Sequence, residues 1–203
     1  FLTGVNQKHS GVELETNYMV NDMLELMFVA SFGNWKFDGD ANGNYQETEY
    51  NSEGQAVGYK TTEYAYALDG LYVGDMPQTS YVLGVTLTPI KDLRIQAIHK
   101  MYDKNYSDWS PSAREFDGTN DDADRAQVWE APNYNRLDLH MSYKLPKVKD
   151  LDMMLTANIF NALDEVYVQD AVDNSQYNGY GSKNHLAHNA EVFLGTPRYA
   201  NIG

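Results

Sequence analysis

Apolar side chains recur at every second position in one stretch of this chain after another. Val12, Leu14, Thr16, Tyr18 and Val20 alternate with Glu13, Glu15, Asn17 and Met19, and after Asn21-Asp22 the pattern resumes with Leu24, Leu26, Phe28, Ala30 and Phe32. A period of two is that of a strand with one apolar and one polar side. Tyr81, Leu83, Val85 and Leu87 repeat it, as do Leu93, Ile95, Ala97, His99 and Met101. Leu137, Leu139, Met141, Tyr143 and Leu145 follow, and then Leu151, Met153, Leu155, Ala157 and Ile159. A last strand is predicted to begin near Phe193.

These stretches pair into hairpins. Keeping like faces together places Val20 opposite Leu24, Leu14 opposite Ala30 and Val12 opposite Phe32 across a tight turn. The second hairpin turns through Thr88-Pro89-Ile90-Lys91-Asp92, where the missing N–H of Pro89 costs the ladder nothing. The third turns through Pro146-Lys147-Val148-Lys149-Asp150 and sets Lys144 opposite Asp152 as a cross-strand ion pair. Between hairpins lie long polar segments: Asp38 to about Gln78, with a small hairpin of its own around Tyr59–Leu68; Tyr106 to about Pro132; and Asp170–Glu191.

Short turns therefore gather at one end of the strands and long loops at the other. Sandwiches scatter loop lengths over both ends, whereas outer-membrane barrels have short periplasmic turns and long extracellular loops. The polar face carries Glu13, Glu15, Glu25, Arg94, Lys100, Asp138, His140, Lys144 and Asp152, too many charges for a sandwich core and natural for a water-filled or plugged lumen. Tyr18, Tyr81 and Tyr143 fall toward strand ends, where an aromatic girdle belongs. The expected fold is all-β: an antiparallel up-and-down meander forming part of a transmembrane β-barrel.

Composition agrees with that picture. The 203 residues include 16 Tyr and no Cys, so neither disulfides nor thiolate metal sites are available. A formal net charge of -14 argues against nucleic acid as a partner, since no basic stripe exists to neutralise phosphates. No run reaches the roughly 18 apolar residues of a membrane-spanning helix, and the mean hydropathy of -0.57 is low, as a barrel with one apolar side per strand and polar loops would make it. No signal peptide opens the sequence at Phe1-Leu2-Thr3-Gly4.

Two late motifs carry a family resemblance. Asn158-Ile159-Phe160-Asn161-Ala162-Leu163-Asp164-Glu165-Val166-Tyr167 is similar to the late-strand motif of TonB-dependent outer-membrane receptors, usually Asn-Leu-Phe-Asp followed shortly by Tyr, with Leu163 a spacing variant. Gly195-Thr196-Pro197-Arg198 resembles the Gly-x-Pro-Arg signature that opens the last strand of that family's barrel. The family's barrel normally ends on an aromatic residue, and Gly203 is not one. The resemblance implies that residues 1–203 are a C-terminal portion of such a barrel: about seven of the roughly 22 strands of the large transporters, the last incomplete, with the plug domain outside it. It implies a receptor in the outer membrane of a Gram-negative bacterium that binds a scarce solute (a ferric siderophore, a cobalamin or a glycan) at extracellular loops. Import would draw on TonB through the plug, the wall would meet lipid and lipopolysaccharide, and no chemistry would be done on the solute.

Candidate sites are few. Tyr106, Trp109 and Trp129 in the second long loop are the residues expected to stack on a solute ring. Asp117–Asp124 offers oxygens to a hard cation, yet its spacing fails the EF-hand loop, and a solvated acidic loop is the reading adopted. His185-Leu186-Ala187-His188 is read as a loop with two exposed imidazoles, and His99 and His140 as structural strand residues. Neither metal nor cofactor is expected. Glu13 and Glu15 face one way as paired carboxylates do in glycosidases, but lumen charge accounts for them more simply. Two rivals remain, a secreted soluble β-sandwich that binds glycans and an acid-dependent soluble hydrolase; if the Leu24–Phe32 and Leu151–Ile159 faces packed on each other, the barrel reading would fail.

Overall fold

A computed structural model describes residues 2–116, 123–175, 177 and 184–203. The chain opens with β1 (Leu2–Thr3), β2 (Gln7–Asn21) and β3 (Leu24–Phe37), followed by β4 (Ala41–Tyr50) and β5 (Ala56–Tyr66). Next come β6 (Thr79–Ile90), β7 (Leu93–Asp103), β8 (Asn105–Tyr106), a single helical turn α1 (Pro111–Arg114), β9 (Glu115–Phe116) and β10 (Glu130–Ala131). The last part holds β11 (Tyr134–Lys144), β12 (Met154–Phe160), β13 (Val168–Val172), β14 (Glu191–Leu194) and β15 (Tyr199–Ile202).

Among the described residues, β2, β3, β6, β7, β11, β12 and β15 form one seven-stranded antiparallel sheet in chain order, the up-and-down meander of a barrel wall. Register makes one face continuous: Leu14 lies opposite Ala30, Ala30 opposite Tyr81, and Tyr81 opposite Met101. Lower down, Leu87 faces Ile95, Ile95 faces Met141 and Met141 faces Ala157. These apolar residues meet no second layer: Val12, Leu14, Phe32, Leu83, Leu87, Ile95 and Ile159 are all exposed. Among the described residues the Leu24–Phe32 and Leu151–Ile159 faces therefore do not pack on each other across a sandwich core. From Leu93 to Met101 the row climbs about 26 Å along the strand at ~3.3 Å per residue. At a tilt of about 40° that is ~20 Å of height, close to the ~25 Å apolar band of a membrane barrel.

The turns depart from expectation in three places. Val20 does not face Leu24; a bulge between Met19 and Asn21 absorbs it, Asn21 takes the place opposite Leu24, and Asn21 Oδ1 caps the Met23 N–H at 2.9 Å. Pro89 sits inside β6 at an irregularity between Leu87 and Ile90, and the turn is Lys91–Asp92. Lys144 lies opposite Met154, two residues from its expected partner. Pro146 cannot donate to the ladder, so regular pairing stops at the Leu145–Met153 hydrogen bond and a bridge closes Val148 on Leu151. Asp152, outside the strand, reaches Lys147 at 3.5 Å with both side chains exposed, a contact worth little.

The long loops hold more structure than their sequence announces. Instead of a small hairpin near Tyr59–Leu68, β4 and β5 form an arm over Ala41–Tyr66 that joins β1 and β9 in a four-stranded sheet. Phe193 belongs to β14, which pairs with β13 as a loop hairpin, and the wall strand begins only at Tyr199.

Candidate functional site

At the long-loop end, the three connections pack into one cap. Its core is Phe37, Ala41, Leu68, Leu71, Tyr106 and Val128, with Tyr66, Tyr72, Val73 and Trp109 against it. Tyr106 stacks on Tyr72 at 4.2 Å between ring centroids, and the Lys36 ammonium lies 4.5 Å from the centroid of the Tyr72 ring. Burial pushes the Tyr106 phenol upward, with Glu130 and Tyr72 adding to it. Trp109 meets Phe37 edge-on at 6.3 Å and Tyr66 at 5.7 Å. The carbonyl of half-buried Trp129 accepts from both the N–H and the hydroxyl of Ser107. Of the three aromatics expected at a solute, the structure makes Tyr106 and Trp109 parts of the cap core, and Trp129 sits beside them.

Polar clamps join the loops. Asp40 accepts two bonds from Arg125, at 3.0 and 2.8 Å, and the backbone N–H groups of Leu68 and Asp69, each at 3.0 Å. The Arg125 guanidinium foremost, against some burial, holds the Asp40 carboxyl below its usual range. Gln127 stitches the same segments, accepting from Tyr72 N and donating to Gly70 O.

The tightest clamp was not legible in the sequence. Arg114, fully buried in α1, donates to the Asp124 carbonyl at 2.8 Å and meets the fully buried Asp173 carboxylate at 3.3 Å. His185 bridges the two acids, Nδ1 to Asp173 at 2.5 Å and Nε2 to Asp124 at 2.8 Å. Its side chain is only 10% exposed, so the expectation of two exposed imidazoles fails for His185, while His188 bonds Asn184. Burial works against charge on Asp124, but the His185 bond, the Ala126 N–H and Arg114 outweigh it and hold the carboxyl low. Most of the acidic stretch, residues 117–122, lies outside the described residues. Among the described residues no group of three or more His, Asp or Glu is placed to hold a metal ion.

A different seam gathers three carboxylates. Gly74 lies flat on the Ser107–Asp108 backbone, where a Cβ would come within 2.6 Å of Asp108 N, and Asp108 in turn bonds Ala171 and Asp173 through its main chain. This close approach brings Asp75, Asp108 and Asp170 together. Burial, the Asp108 charge and the Asp170 carboxyl push Asp75 up to about 6.

The two late motifs close a knot where β11, β12 and the third long loop meet. Asn161, at φ +50°, accepts from Glu165 N at 3.0 Å, donates to Glu165 O and Thr196 O, and its own N–H reaches Asp138 Oδ1 at 2.9 Å. Asp138, 1% exposed on the lumen face, also receives Lys100 at 2.9 Å. Asp164 caps the Arg198 N–H, and Gly195 donates to Tyr167 O, its Cα so close that any Cβ would fall inside the Tyr167 ring. Tyr167 stacks on Tyr134 at 4.3 Å and accepts a bond from Arg136.

The lumen face is lined near its mouth by aromatic side chains. Tyr102, Tyr134 and Tyr167 form one stack, and on the first hairpin His9 stacks on Trp35 at 5.5 Å. The charge is partitioned between wall and cap: segments 38–78, 103–133 and 161–198 carry 21 of the 29 acidic side chains and 6 of the 15 basic ones, a net of -15, leaving +1 for the wall and its turns.

Comparison with known proteins gives one family. A model described as TonB dependent receptor-like, beta-barrel matches residues 3–162. No curated protein matches the chain. Among solved structures, the chain is similar to the closed form of the ferric-catecholate import receptor Fiu from E. coli K12. That match has 17% identity and a TM-score of 0.38, over 97% of this chain and 27% of that one. The chain thus spans about a quarter of that receptor's length.

Proposed function

The chain belongs to the TonB-dependent receptor-like β-barrel family, and on that premise we propose that it is the wall and cap of an outer-membrane import receptor. In this reading it is a C-terminal portion of the barrel in a Gram-negative bacterium, its apolar face against lipid and lipopolysaccharide. A scarce solute (a ferric siderophore, a cobalamin or a glycan) is captured at the cap and passed inward when TonB acts on the plug. Trp129, seated beside Tyr106 and Trp109, offers the cap aromatic for solute contact, while those two hold its position.

The observation that carries the proposal is a single sheet with an exposed apolar face and a charged opposite face, crowned on one side only by loops. Such a sheet suits a boundary between lipid and an aqueous lumen. The family is one of receptors and not an enzyme class. The test is uptake in cells carrying the full-length receptor: growth on a limiting solute that needs both this gene and TonB supports the reading. Uptake that persists without TonB refutes it.

A further inference from the structure

The wall carries a feature that the import reading does not use: Trp35, His9 and Glu13 around a floor of two glycines. Gly11 and Gly33 face each other across β2 and β3, and the Trp35 indole lies down on Gly33, where a Cβ would come within 2.8 Å of the ring. The main chain that carries the indole is held from the side. Gln78, 1% exposed, accepts the Trp35 main-chain N–H at 2.9 Å and donates to the Trp35 carbonyl at 2.9 Å, taking the place of a strand neighbour, and Val73 N donates to the same carbonyl at 3.1 Å. The ring itself rests on Gly33 and stacks on His9 at 5.5 Å.

Trp35, Gly33 and Ser31 lie on the lumen side of β3, and His9, Gly11 and Glu13 on the lumen side of β2. With Ser10, Val12 and Phe32 of the same two strands they line an open concavity of about 380 Å³, within the roughly 300–1,000 Å³ of ligand pockets. A strand added beyond β2 would extend the sheet in its own plane and leave the indole, one strand further in, uncovered.

Charge decides what such a wall would seat. The cap above carries the net of -15, so anions are repelled and cations concentrated at the mouth. On the wall, Glu13 and Glu15 make no ion pair among the described residues, whereas Lys100, Arg94 and Arg136 each face an acid. Indole is the aromatic ring that best attracts a cation, and a carboxylate at the same concavity adds a counter-charge. Resting on the import reading and sharpening it, we propose that Trp35, His9 and Glu13 form a subsite for an organic cation, a protonated or quaternary amine carried by the solute.

The test uses the purified full-length receptor in detergent, with spermine, tetralysine and tetramethylammonium as probes and maltohexaose and a ferric tris-catecholate as uncharged and anionic comparators. Calorimetric titration is expected to find at least one cation binding more tightly than either comparator. Trp35→Ala should weaken it tenfold or more, Trp35→Phe by less, and Glu13→Gln several-fold, with heat-modifiable migration of each folded barrel unchanged. The proposal is overturned if no cation binds, if a comparator binds more tightly, or if Trp35→Ala leaves cation affinity intact. It is equally overturned if Trp35→Ala lowers only the barrel's thermal stability, which would make the ring a contact for the rest of the receptor. TonB-dependent uptake of the ferric complex without cation binding would leave the import reading standing and remove this subsite alone.

Discussion

Replacing Arg114 by Met tests whether the cap is held by its buried charges. The guanidinium is fully buried and meets an equally buried Asp173 at 3.3 Å, so the substitution strands a carboxylate away from water. Removing one partner of a buried pair costs about 3–5 kcal/mol. His185 still donates to Asp173 here, so the lower end applies, ~3 kcal/mol. At 1.36 kcal/mol per factor of ten, that raises the population of the open cap roughly 150-fold. The effect is local, because the clamp ties α1 to the third loop and touches no wall strand, so the barrel stays folded while the cap opens. Hydrogen exchange on the full-length receptor in detergent should show protection falling across residues 111–116 and 168–175 and unchanged in β7 and β11. Adding Asp173→Leu to Arg114→Met removes the stranded charge and should recover part of the loss. A single variant whose protection matches wild type, or a double variant more open than the single, would refute the reasoning.

Asp75 gives the cap a pH response. Its carboxyl is raised from an ordinary 3.8 to about 6, so the folded seam favours the protonated form; the stability this contributes is complete below pH 3.8 and is lost as pH climbs through 6. Proteolytic nicking of the 67–78 segment should therefore be slower at pH 5 than at pH 7.5, and Asp75→Asn should abolish the difference. Gly195→Ala puts a methyl group into the Tyr167 ring and should sharply lower the yield of heat-modifiable barrel, with Tyr167→Ala in the same chain restoring some of it. Asn161→Ala strips three side-chain hydrogen bonds from a buried turn and removes a residue suited to positive φ. It should cost about 2–4 kcal/mol in urea unfolding of the lipid-embedded receptor.

The wall was legible because its rule is simple. A period of two repeated over six strands fixes faces, and short turns fix order, so even the two-residue error at Lys144 kept like faces together, whereas the seventh wall strand begins at Tyr199 and not near Phe193. The cap was hidden because it follows no period. Arg114, Asp124, Asp173 and His185 are joined across loops 59 and 71 residues apart, and nothing local marks them as partners. The Val20 bulge and the Pro146 break are local features that the alternating pattern passes over, since both alter spacing without altering polarity. Tyr106 shows the same limit from another side: an aromatic in a polar loop reads as a contact residue until its stacking on Tyr72 is seen.

The late motifs gain a physical meaning from their placement. Asn161, Asp164, Gly195 and Arg198 hold the end of β12 against the start of β15, while Asp138 ties Asn161 back to β11 and, through Lys100, to β7. Four wall strands are thereby registered at the point where a 38-residue excursion leaves the barrel and returns, 161–198. A loop of that length costs closure entropy that grows only slowly with its size. Its greater hazard is that the returning strand must find its register on β12 after so long an excursion. Side-chain bonds to Thr196 and Arg198 fix that register before Tyr199 pairs with Phe160. The motif residues thus set the register of the wall strand that returns from a long cap, which is why they sit where β11, β12 and the third long loop meet.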